Sequence, residues 1–404
     1  MPRKGLWRIL VLLLTATLVL AACGNDDEDT TTGGTDTTAA GGGADKKTIG
    51  LAFVGPLTGD AANLGINTRN GIKVAIEEAN AKSEKYEYVL KEFDTQGDPA
   101  QAPTQADKYI PDEEIIAVVG PEFSGETKAV LPTLEDAGLV MVSASATNTA
   151  LPTVVPNSKV FHRIIPDDDV QGAGLTDYIT KKLAAKNAAY VHDNSEYGKG
   201  LAEGTQKLLE GQGVKTALVE AIDPKGQDYS AAVNKVKAAD ADFIFYGGYY
   251  AEAGRLKKQL TDAGVTAKFV TGDGALDKGF IEASGAAGGE GALITCPCKL
   301  ATTDAPGELG AFATKYKELN GADPGTYSTE GYDATLLVVE GIEAGNDTRE
   351  KLLSYLEDTF TSYAGLSKTI EFEENGNVKS GDVFVYEVKG GKITELGSTV
   401  TLLK

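Results

Sequence analysis

The 404-residue chain is poor in histidine and cysteine and short of positive charge. Its 38 lysines and arginines against 59 acidic residues give a formal net charge of −21. That balance argues against nucleic acid or an anionic membrane surface as a partner. The two histidines, His162 and His192, belong to no metal-ligand pattern, so we interpret both as structural and expect no metal and no cofactor.

Signatures of catalysis are also missing from the sequence. It contains no Gly-x-Ser-x-Gly elbow, no phosphate-binding loop and no His-Glu-x-x-His pattern, and nothing pairs a nucleophile with a histidine. The sequence therefore does not predict an enzyme.

The three cysteines form no zinc-binding pattern. Cys296 and Cys298 lie in a Cys-Pro-Cys sequence, which leaves open a small disulfide or a buried pair of thiols. A redox role is the minor interpretation, because the Cys-x-x-Cys spacing of redox motifs is absent.

The N-terminus has the features of a segment that is removed after export. Arg3, Lys4 and Arg8 precede an apolar stretch, residues 9–20, that is too short to span a bilayer comfortably. The sequence Leu-Ala-Ala-Cys at 20–23 resembles the lipobox of bacterial lipoproteins, which implies cleavage after residue 22 and lipid attached to Cys23. The alternative is an ordinary secretory signal in which the cysteine is incidental.

The following segment, residues 23–46, consists largely of Asp, Thr, Gly and Ala. It has almost nothing to bury, so we predict a flexible, solvated tether. With a lipid on Cys23, the folded body would be held at the outer face of the cell membrane without crossing it.

Two short polar segments each follow an apolar run typical of a buried parallel strand. Residues 120–125 follow the run Ile115–Val119, residues 143–148 follow Leu139–Val142, and Thr127–Ala137 between them has helical spacing. The two segments should therefore lie at the carboxyl ends of strands in one sheet, where open α/β sheets bind ligands.

These segments have the composition of an anion site. Their small residues leave backbone N–H groups uncovered, and Ser124, Ser145 and Thr147 add hydroxyl groups. Facing each other, they would form a cradle for a carboxylate. The alternative is that the small residues only make tight turns and a helix cap.

Strands and helices alternate along the rest of the chain, as in doubly wound, mostly parallel α/β sheets. The alternation restarts after Pro166, which predicts two α/β lobes joined by several crossings. We place the first lobe at 47–166 plus 297–375 and the second at 167–296 plus 376–404. The glycine-rich residues 284–289 lack the dinucleotide-binding fingerprint and are predicted to be a loop.

The body from about residue 47 to the C-terminus resembles the leucine/isoleucine/valine-binding proteins, the receptors of branched-chain amino-acid ABC transporters. The matching stretches occur in the family's order: Val54-Gly55-Pro56-Leu57-Thr58-Gly59, Ser145-Ala146-Thr147-Asn148, His192-Asp193 with Tyr197-Gly198-Lys199-Gly200, and Phe245-Tyr246-Gly247-Gly248-Tyr249-Tyr250. The resemblance implies a type I periplasmic-binding-protein clamshell that captures leucine, isoleucine or valine between its lobes. It also implies a membrane permease as partner, and we expect a monomer.

The resemblance assigns roles to individual residues of the first lobe. Ser124 and Thr147 look like carboxylate binders, helped by backbone N–H groups around Ser145 and Thr147. The carbonyl of Ser145 and the hydroxyl of Thr147 would face the ammonium group, although the family commonly has alanine at position 145. Ala146 lies within this segment, and Leu64 falls where a bulky residue touches the ligand's side chain.

In the second lobe, the resemblance makes Tyr197 and Tyr249 the aromatic walls that close over the ligand. Asp273 falls where the family often has a glutamate that binds the ammonium group, and the shorter side chain leaves the ligand's identity open. An amino-acid zwitterion needs donors for its carboxylate and an anion for its ammonium, so only a closed clamshell would satisfy both. The alternatives are ordinary aromatic residues at strand ends and an aspartate that forms a turn.

The sequence is also compatible with other functions. The same lobes could bind another small amino acid, a short amide or urea. They could also form a sensor that reports its ligand to a separate membrane receptor.

Overall fold

The computed structural model describes residues 46–366, 368–379 and 381–404. The predicted signal peptide, nearly all of the predicted tether and Cys23 lie outside these residues. Among the helices described, none combines the length and the apolar character needed to cross a membrane.

The first sheet is parallel throughout. Its strands are β1 (Lys47–Gly55), β2 (Tyr86–Asp94), β3 (Ile115–Val119), β4 (Met141–Ser143) and β5 (Phe161–Arg163), in the spatial order β2-β1-β3-β4-β5. The run Ile-Ile-Ala-Val-Val of β3 is buried along its whole length. Such continuous apolar strands need helices on both faces of the sheet, which is what a parallel α/β sheet provides.

The second sheet combines parallel strands with an antiparallel edge. Its strands are β6 (Asn187–His192), β7 (Lys215–Ala221), β8 (Phe243–Gly247), β9 (Lys268–Thr271) and β10 (Leu293–Cys296), followed much later in the chain by β13 (Phe384–Lys389) and β14 (Lys392–Ser398). The spatial order is β14-β13-β10-β9-β8-β6-β7. β13 pairs antiparallel with β10 and with β14. The short strands β11 (Tyr363–Ala364) and β12 (Thr369–Ile370) form a separate antiparallel pair.

Thirteen α-helices cover these sheets in the described residues. They are α1 (Ala62–Lys82), α2 (Ala102–Tyr109), α3 (Ser124–Asp136), α4 (Asp168–Tyr178), α5 (Glu196–Gly211), α6 (Ser230–Ala239), α7 (Tyr250–Asp262), α8 (Lys278–Ser284), α9 (Ala286–Gly289), α10 (Glu308–Asn320), α11 (Ser328–Glu343), α12 (Arg349–Ser354) and α13 (Thr399–Leu402).

We name each lobe after its sheet. The first lobe is the five-stranded sheet with α1–α3 and α10–α12, and the second lobe is the seven-stranded sheet with α4–α9 and α13. The chain passes between the lobes at 164–167, 297–307 and 371–383. Cys296 and Cys298, at the start of the second crossing, form a disulfide, which resolves the choice that the sequence left open.

The α/β architecture predicted from the sequence is confirmed, with three local differences. The sequence pattern did not reveal β10, whose four residues, Leu-Ile-Thr-Cys, are too few to show a period. The predicted loop at 284–289 is wrong in part, because α8 extends to Ser284 and residues 286–289 form the short helix α9. The predicted helix Thr127–Ala137 begins earlier, at Ser124, so the segment 120–125 supplies the first residues of α3.

Candidate functional site

Two aromatic residues meet where the lobes face each other. Phe123 precedes α3 in the first lobe and Tyr249 precedes α7 in the second, and their ring centroids are 4.3 Å apart. Each backbone N–H donates to a glutamate three residues later, Phe123 to Glu126 and Tyr249 to Glu252, both at 2.7 Å. This capping pattern fixes both helix starts, so both aromatic side chains are held at the cleft.

The serines of the first lobe partly bond to the protein itself. The Ser124 hydroxyl oxygen accepts the N–H of Asn148 at 3.2 Å, which ties the two ligand segments together and leaves its hydrogen free to be donated. The Ser145 hydroxyl donates to the carbonyl of Glu122. The N–H groups of Ser145 and Ala146 both approach the Ser143 hydroxyl, at 3.4 and 3.0 Å. The N–H groups around Ser145 that the sequence offered to a ligand therefore already have an acceptor.

Thr147 and Asp168 contribute buried side-chain oxygens that lack hydrogen-bond partners of acceptable geometry among the described residues. Both are buried, at 0% and 7% exposed, and the Asp168 N–H donates to the Thr147 carbonyl at 2.9 Å. The Thr147 hydroxyl lies close to the Asp168 carboxyl. Even so, Thr147 Oγ1 and both Asp168 carboxyl oxygens make no hydrogen bond of acceptable geometry to any described residue. Buried polar atoms are rarely left without a partner, so three such atoms together indicate a ligand site.

Asp273, in contrast, is already well supplied with donors. Its Oδ1 accepts from Gln171 Nε2 at 2.6 Å and from the Tyr197 hydroxyl at 2.8 Å, and its Oδ2 accepts from the Tyr327 hydroxyl. Burial raises the pKa of Asp273 to about 6, and the bonds from Tyr327 and Tyr197 act in the opposite direction. Burial, followed by the nearby charge of Asp273, raises the pKa of Asp168 well above its ordinary value. Two carboxyl groups this close favour a positively charged guest.

Glycines on both sides of Asp273 let Tyr197 pack against its loop. A Cβ atom at Gly272 would lie 2.6 Å from the Tyr197 hydroxyl, and one at Gly274 would lie 2.8 Å from the Tyr197 ring. Tyr197 in turn packs at 5.3 Å, centroid to centroid, against Tyr249. The two glycines of this Thr-Gly-Asp-Gly sequence therefore allow Tyr197 to pack closely against the Asp273 loop, in addition to favouring a turn.

Apolar groups of both lobes line the same cleft. Leu64, fully buried on α1, belongs to one hydrophobic cluster with Phe123, Tyr327 and Leu276, and Tyr249 packs against it. A cluster that draws on both lobes gives the cleft apolar walls around the polar groups described above.

Arg163, at the end of β5, holds the ligand segment from behind. Its fully buried guanidinium donates to the carbonyls of Ala146 and Asn148, at 3.1 and 2.8 Å, and pairs with Asp167 at 3.3 Å. It thereby fixes the backbone on both sides of Thr147. It also holds Asp167, which caps the start of α4. The planar group of donors suits this task better than a lysine ammonium would.

Hydrogen bonds across the cleft hold the lobes together in a closed arrangement. Asn63 Nδ2 donates to Asp277 at 2.7 Å, Asn148 Nδ2 donates to the Glu196 carbonyl at 2.7 Å, and Lys128 pairs with Glu196 at 2.9 Å. These contacts join the ligand-segment side of the first lobe directly to the second lobe.

The structure brings the residues predicted from the sequence into one region. Thr147 and Leu64 lie at the cleft as expected, and Tyr197, Tyr249 and Asp273 form a connected group in the second lobe. Ser124, Ser145 and Ala146 lie in the same two segments, with Ser145 turned towards the loop itself.

Sequence reasoning missed Asp168, Gln171, Tyr327 and Arg163. Asp168 had a usable signal, because polar residues directly after a strand and at a helix start commonly face the ligand edge of a sheet, and Gln171 is one turn further along α4. Tyr327 had none, because it lies far away in the chain, directly before α11, and has an unusual backbone conformation, with φ of 67°.

Similarity to known proteins agrees with this geometry. Residues 48–392 match the family described as periplasmic binding protein. The leucine-, isoleucine-, valine-, threonine- and alanine-binding protein of Pseudomonas aeruginosa is 32% identical over 347 residues, which is 84% of this chain and 90% of that protein. The Leu/Ile/Val-binding protein homolog 3 of Brucella melitensis is 31% identical over 355 residues, 86% of this chain and 93% of that protein.

Solved structures give the same result. The leucine binding protein LivK of Thermotoga maritima superimposes with a TM-score of 0.79 at 28% identity, covering 87% of this chain and 98% of that one. The substrate binding protein LivJ of Streptococcus pneumoniae, solved with isoleucine, gives 0.78 at 24% identity, covering 87% and 100%, and supports the fold.

Two α/β lobes that close over a small polar cleft define a solute-binding receptor and not an enzyme. The chain belongs to the periplasmic binding protein family, and its relatives include proteins named for binding leucine, isoleucine and valine. Membership of that family implies an extracytoplasmic location.

Proposed function

We propose that this receptor captures an α-amino acid of branched-chain size, in the leucine, isoleucine and valine class, and delivers it to an ABC permease. The observation that carries the proposal is the trio of unpartnered buried oxygens on Thr147 and Asp168. They lie in a cleft that also contains the Ser124 hydroxyl and apolar walls from Leu64 and Tyr249. An α-amino acid offers a carboxylate, an ammonium group and an apolar side chain, one for each of these three kinds of surface.

The ligand's carboxylate would bind at the start of α3. Ser124 is the first residue of that helix, and its hydroxyl hydrogen is available. The positive end of the helix dipole favours an anion there. Thr147 Oγ1 would complete the carboxylate site or bridge to the ammonium group.

The ligand's ammonium group would bind chiefly to Asp168. The Asp168 carboxyl oxygens make no hydrogen bond of acceptable geometry to a described residue, although the Thr147 hydroxyl lies close to them. Asp273, in contrast, accepts three hydrogen bonds from the protein. Asp273 would contribute its charge and at most one further lone pair. Asp168 is thereby added to the ammonium partners that the family resemblance implies, which are Asp273, the Ser145 carbonyl and the Thr147 hydroxyl.

The receptor would open and close as two bodies. We propose the division predicted from the sequence, 47–166 plus 297–375 and 167–296 plus 376–404, with hinges in the three crossings. Closure would align Ser124 and Thr147 of the first lobe with Asp168, Tyr197 and Asp273 of the second, so that binding and closure are coupled.

Anchoring and partners follow from the sequence and the family. We propose that Cys23 carries a lipid, that the tether 23–46 holds a monomeric receptor at the extracytoplasmic face of the membrane, and that the closed form docks on its permease. Lobe closure would present the permease with a surface that only the loaded receptor has.

Calorimetric titration with a panel of amino acids and short amides tests this function. The protein is first unfolded and refolded, because such receptors can copurify with ligand. Saturable one-to-one binding of branched-chain amino acids at micromolar concentrations is expected. Binding of urea or simple amides in place of every amino acid would contradict the proposal.

A further inference from the structure

Glu122 is a buried carboxyl group inside the ligand-binding segment of the first lobe. It is 0% exposed, its N–H donates to the carbonyl of Val54 at 2.9 Å, and its carbonyl accepts the hydroxyl of Ser145. These contacts fix it between the end of β1 and the segment that contains Thr147. It belongs neither to the proposed carboxylate site nor to the proposed ammonium site.

Its side chain reaches α1 beside Leu64, in the wall that the proposed function assigns to the ligand's side chain. Glu122 Oε1 is 2.9 Å from the hydroxyl of Thr68, which is one turn along α1 from Leu64 and lies 3.2 Å from the Leu64 carbonyl. The Glu122 carboxyl is also close enough to Tyr327 for its charge to contribute to raising the pKa of that phenol. Leu64 and Tyr327 both belong to the apolar wall of the cleft.

The other oxygen, Oε2, is buried and has no hydrogen-bond partner among the described residues. The single hydrogen of the Thr68 hydroxyl can be donated either to Leu64 or to Glu122. In the first case Glu122 is protonated on Oε1 and donates to Thr68, so Oε2 is an acceptor. In the second case Glu122 is either a carboxylate, with Oε2 again an acceptor, or an acid protonated on Oε2, which is then a donor. In each case Oε2 has no partner among the described residues.

Burial raises the pKa of Glu122 well above its ordinary value, aided by the carboxyl groups of Glu126 and Glu330 and opposed by the hydrogen bond from Thr68. This favours the neutral form, whose Oε2 is best met by a neutral hydroxyl or amide group, because each of these groups can both donate and accept. An aliphatic ligand would leave Oε2 buried and unpaired, which is unfavourable.

We propose that Glu122 is a specificity residue that makes the site prefer amino acids with a hydroxyl or amide group on a short side chain over aliphatic amino acids of the same shape. The inference rests on the proposed function, because it assigns the side-chain end of the same amino-acid site. Threonine would rank above valine, and asparagine above leucine, since the members of each pair are nearly equal in shape and differ in that group.

Competitive calorimetry on the refolded full chain with L-threonine and L-valine tests the inference without any substitution. A site that hydrogen-bonds a ligand hydroxyl discriminates strongly against the analogue that lacks it, so we expect threonine to bind about tenfold more tightly or better. Asparagine against leucine repeats the comparison with an amide donor. Equal or tighter binding of valine and leucine overturns the inference but leaves the proposed function standing. No binding of any of the four overturns both.

The substitution Glu122→Leu should then reverse the preference, so that valine gains affinity and threonine loses it. Glu126→Gln is the matched control, because Glu126 is also a buried glutamate of this segment but both its oxygens accept protein donors, from Phe123 and Thr95. It should retain the ratio of the threonine and valine affinities. A ratio that is the same in the wild type and in Glu122→Leu would contradict the role of Glu122.

Discussion

Recognition at the residue scale depends on which buried oxygens the protein leaves without partners. Asp168 and Asp273 are both acidic, buried and close to each other, yet within the described residues only Asp273 accepts hydrogen bonds of acceptable geometry. We therefore propose that Asp168 is available to a ligand and that Asp273 belongs to the wall of the site. This distinction could not be made from the sequence, because the donors to Asp273 come from α4, α5 and the residue before α11.

Removing the Asp168 charge should weaken ligand binding strongly. We predict that Asp168→Asn loses ~2–5 kcal/mol of binding free energy, as is typical when one partner of a desolvated charge pair is removed. Asp169→Asn is the control, because the next side chain along α4 is exposed. Calorimetric affinities that are unchanged in Asp168→Asn would show that the ammonium group binds elsewhere.

Thr147→Ala and Tyr249→Ala should also weaken binding without unfolding the protein. The first removes a buried hydroxyl with no partner in the described residues, and the second removes a wall of the cleft that contacts Phe123 and Tyr197. Thr205→Ala, which removes a similarly buried and unpartnered hydroxyl from α5, should leave affinity intact. If both site variants bind leucine as the wild type does, these residues do not contact the ligand.

At the scale of elements, the sequence pattern predicted the α/β alternation well because the buried parallel strands are apolar along their length. β3 and β8 are examples, since all five residues of each are buried. The same rule failed at β10, which has only four residues, and at 286–289, where four small residues form a helical turn. Short segments are decided by tertiary packing, which a local pattern does not contain.

The helix starts at the cleft contain buried acids that should make stability depend on pH. Burial, followed by the charge of Asp193, raises the pKa of Glu252 from 4.5 to about 8, and the charge of Arg255 acts in the opposite direction. A carboxyl group with a higher pKa in the folded state holds its proton more tightly there than in the unfolded chain. Its stabilising contribution is therefore complete below about pH 4.5 and is lost as the pH rises through about 8.

We predict that the thermal midpoint of the ligand-free protein falls between about pH 5 and pH 8 and that Glu252→Gln makes this fall smaller. Glutamine keeps the capping contact with Tyr249 but does not ionise. Glu203→Gln, at an exposed position of α5, should leave the pH profile unchanged. The same slope in Glu252→Gln and in the wild type would assign the dependence to other groups, such as Asp193, whose pKa is raised by burial to about 6.

At the scale of the whole molecule, the two lobes are held together by contacts across the cleft. The closed arrangement is held by contacts such as Asn63 with Asp277 and Asn148 with Glu196, which join elements far apart in the chain. The order of motifs along the chain allowed the two-lobed fold to be predicted. It could not predict these cross-lobe contacts, because they depend on how the lobes meet.

The predicted anchor can be tested apart from the fold. Cys23→Ala should move the protein from the membrane fraction to the soluble fraction, because the lipid would have no attachment site. Thr30→Ala, also within the predicted tether, should stay with the membranes. Membrane association that persists in Cys23→Ala would argue against lipidation at this cysteine.

The central claim is that the closed cleft recognises both ends of an amino-acid zwitterion. The most direct measurement is a calorimetric titration of the refolded protein with L-leucine, with 3-methylbutylamine, which lacks the carboxylate, and with 4-methylpentanoate, which lacks the ammonium group. We predict saturable binding of leucine and a loss of ~2 kcal/mol or more of binding free energy for each incomplete analogue. Binding of the amine or of the acid as tightly as leucine would contradict it.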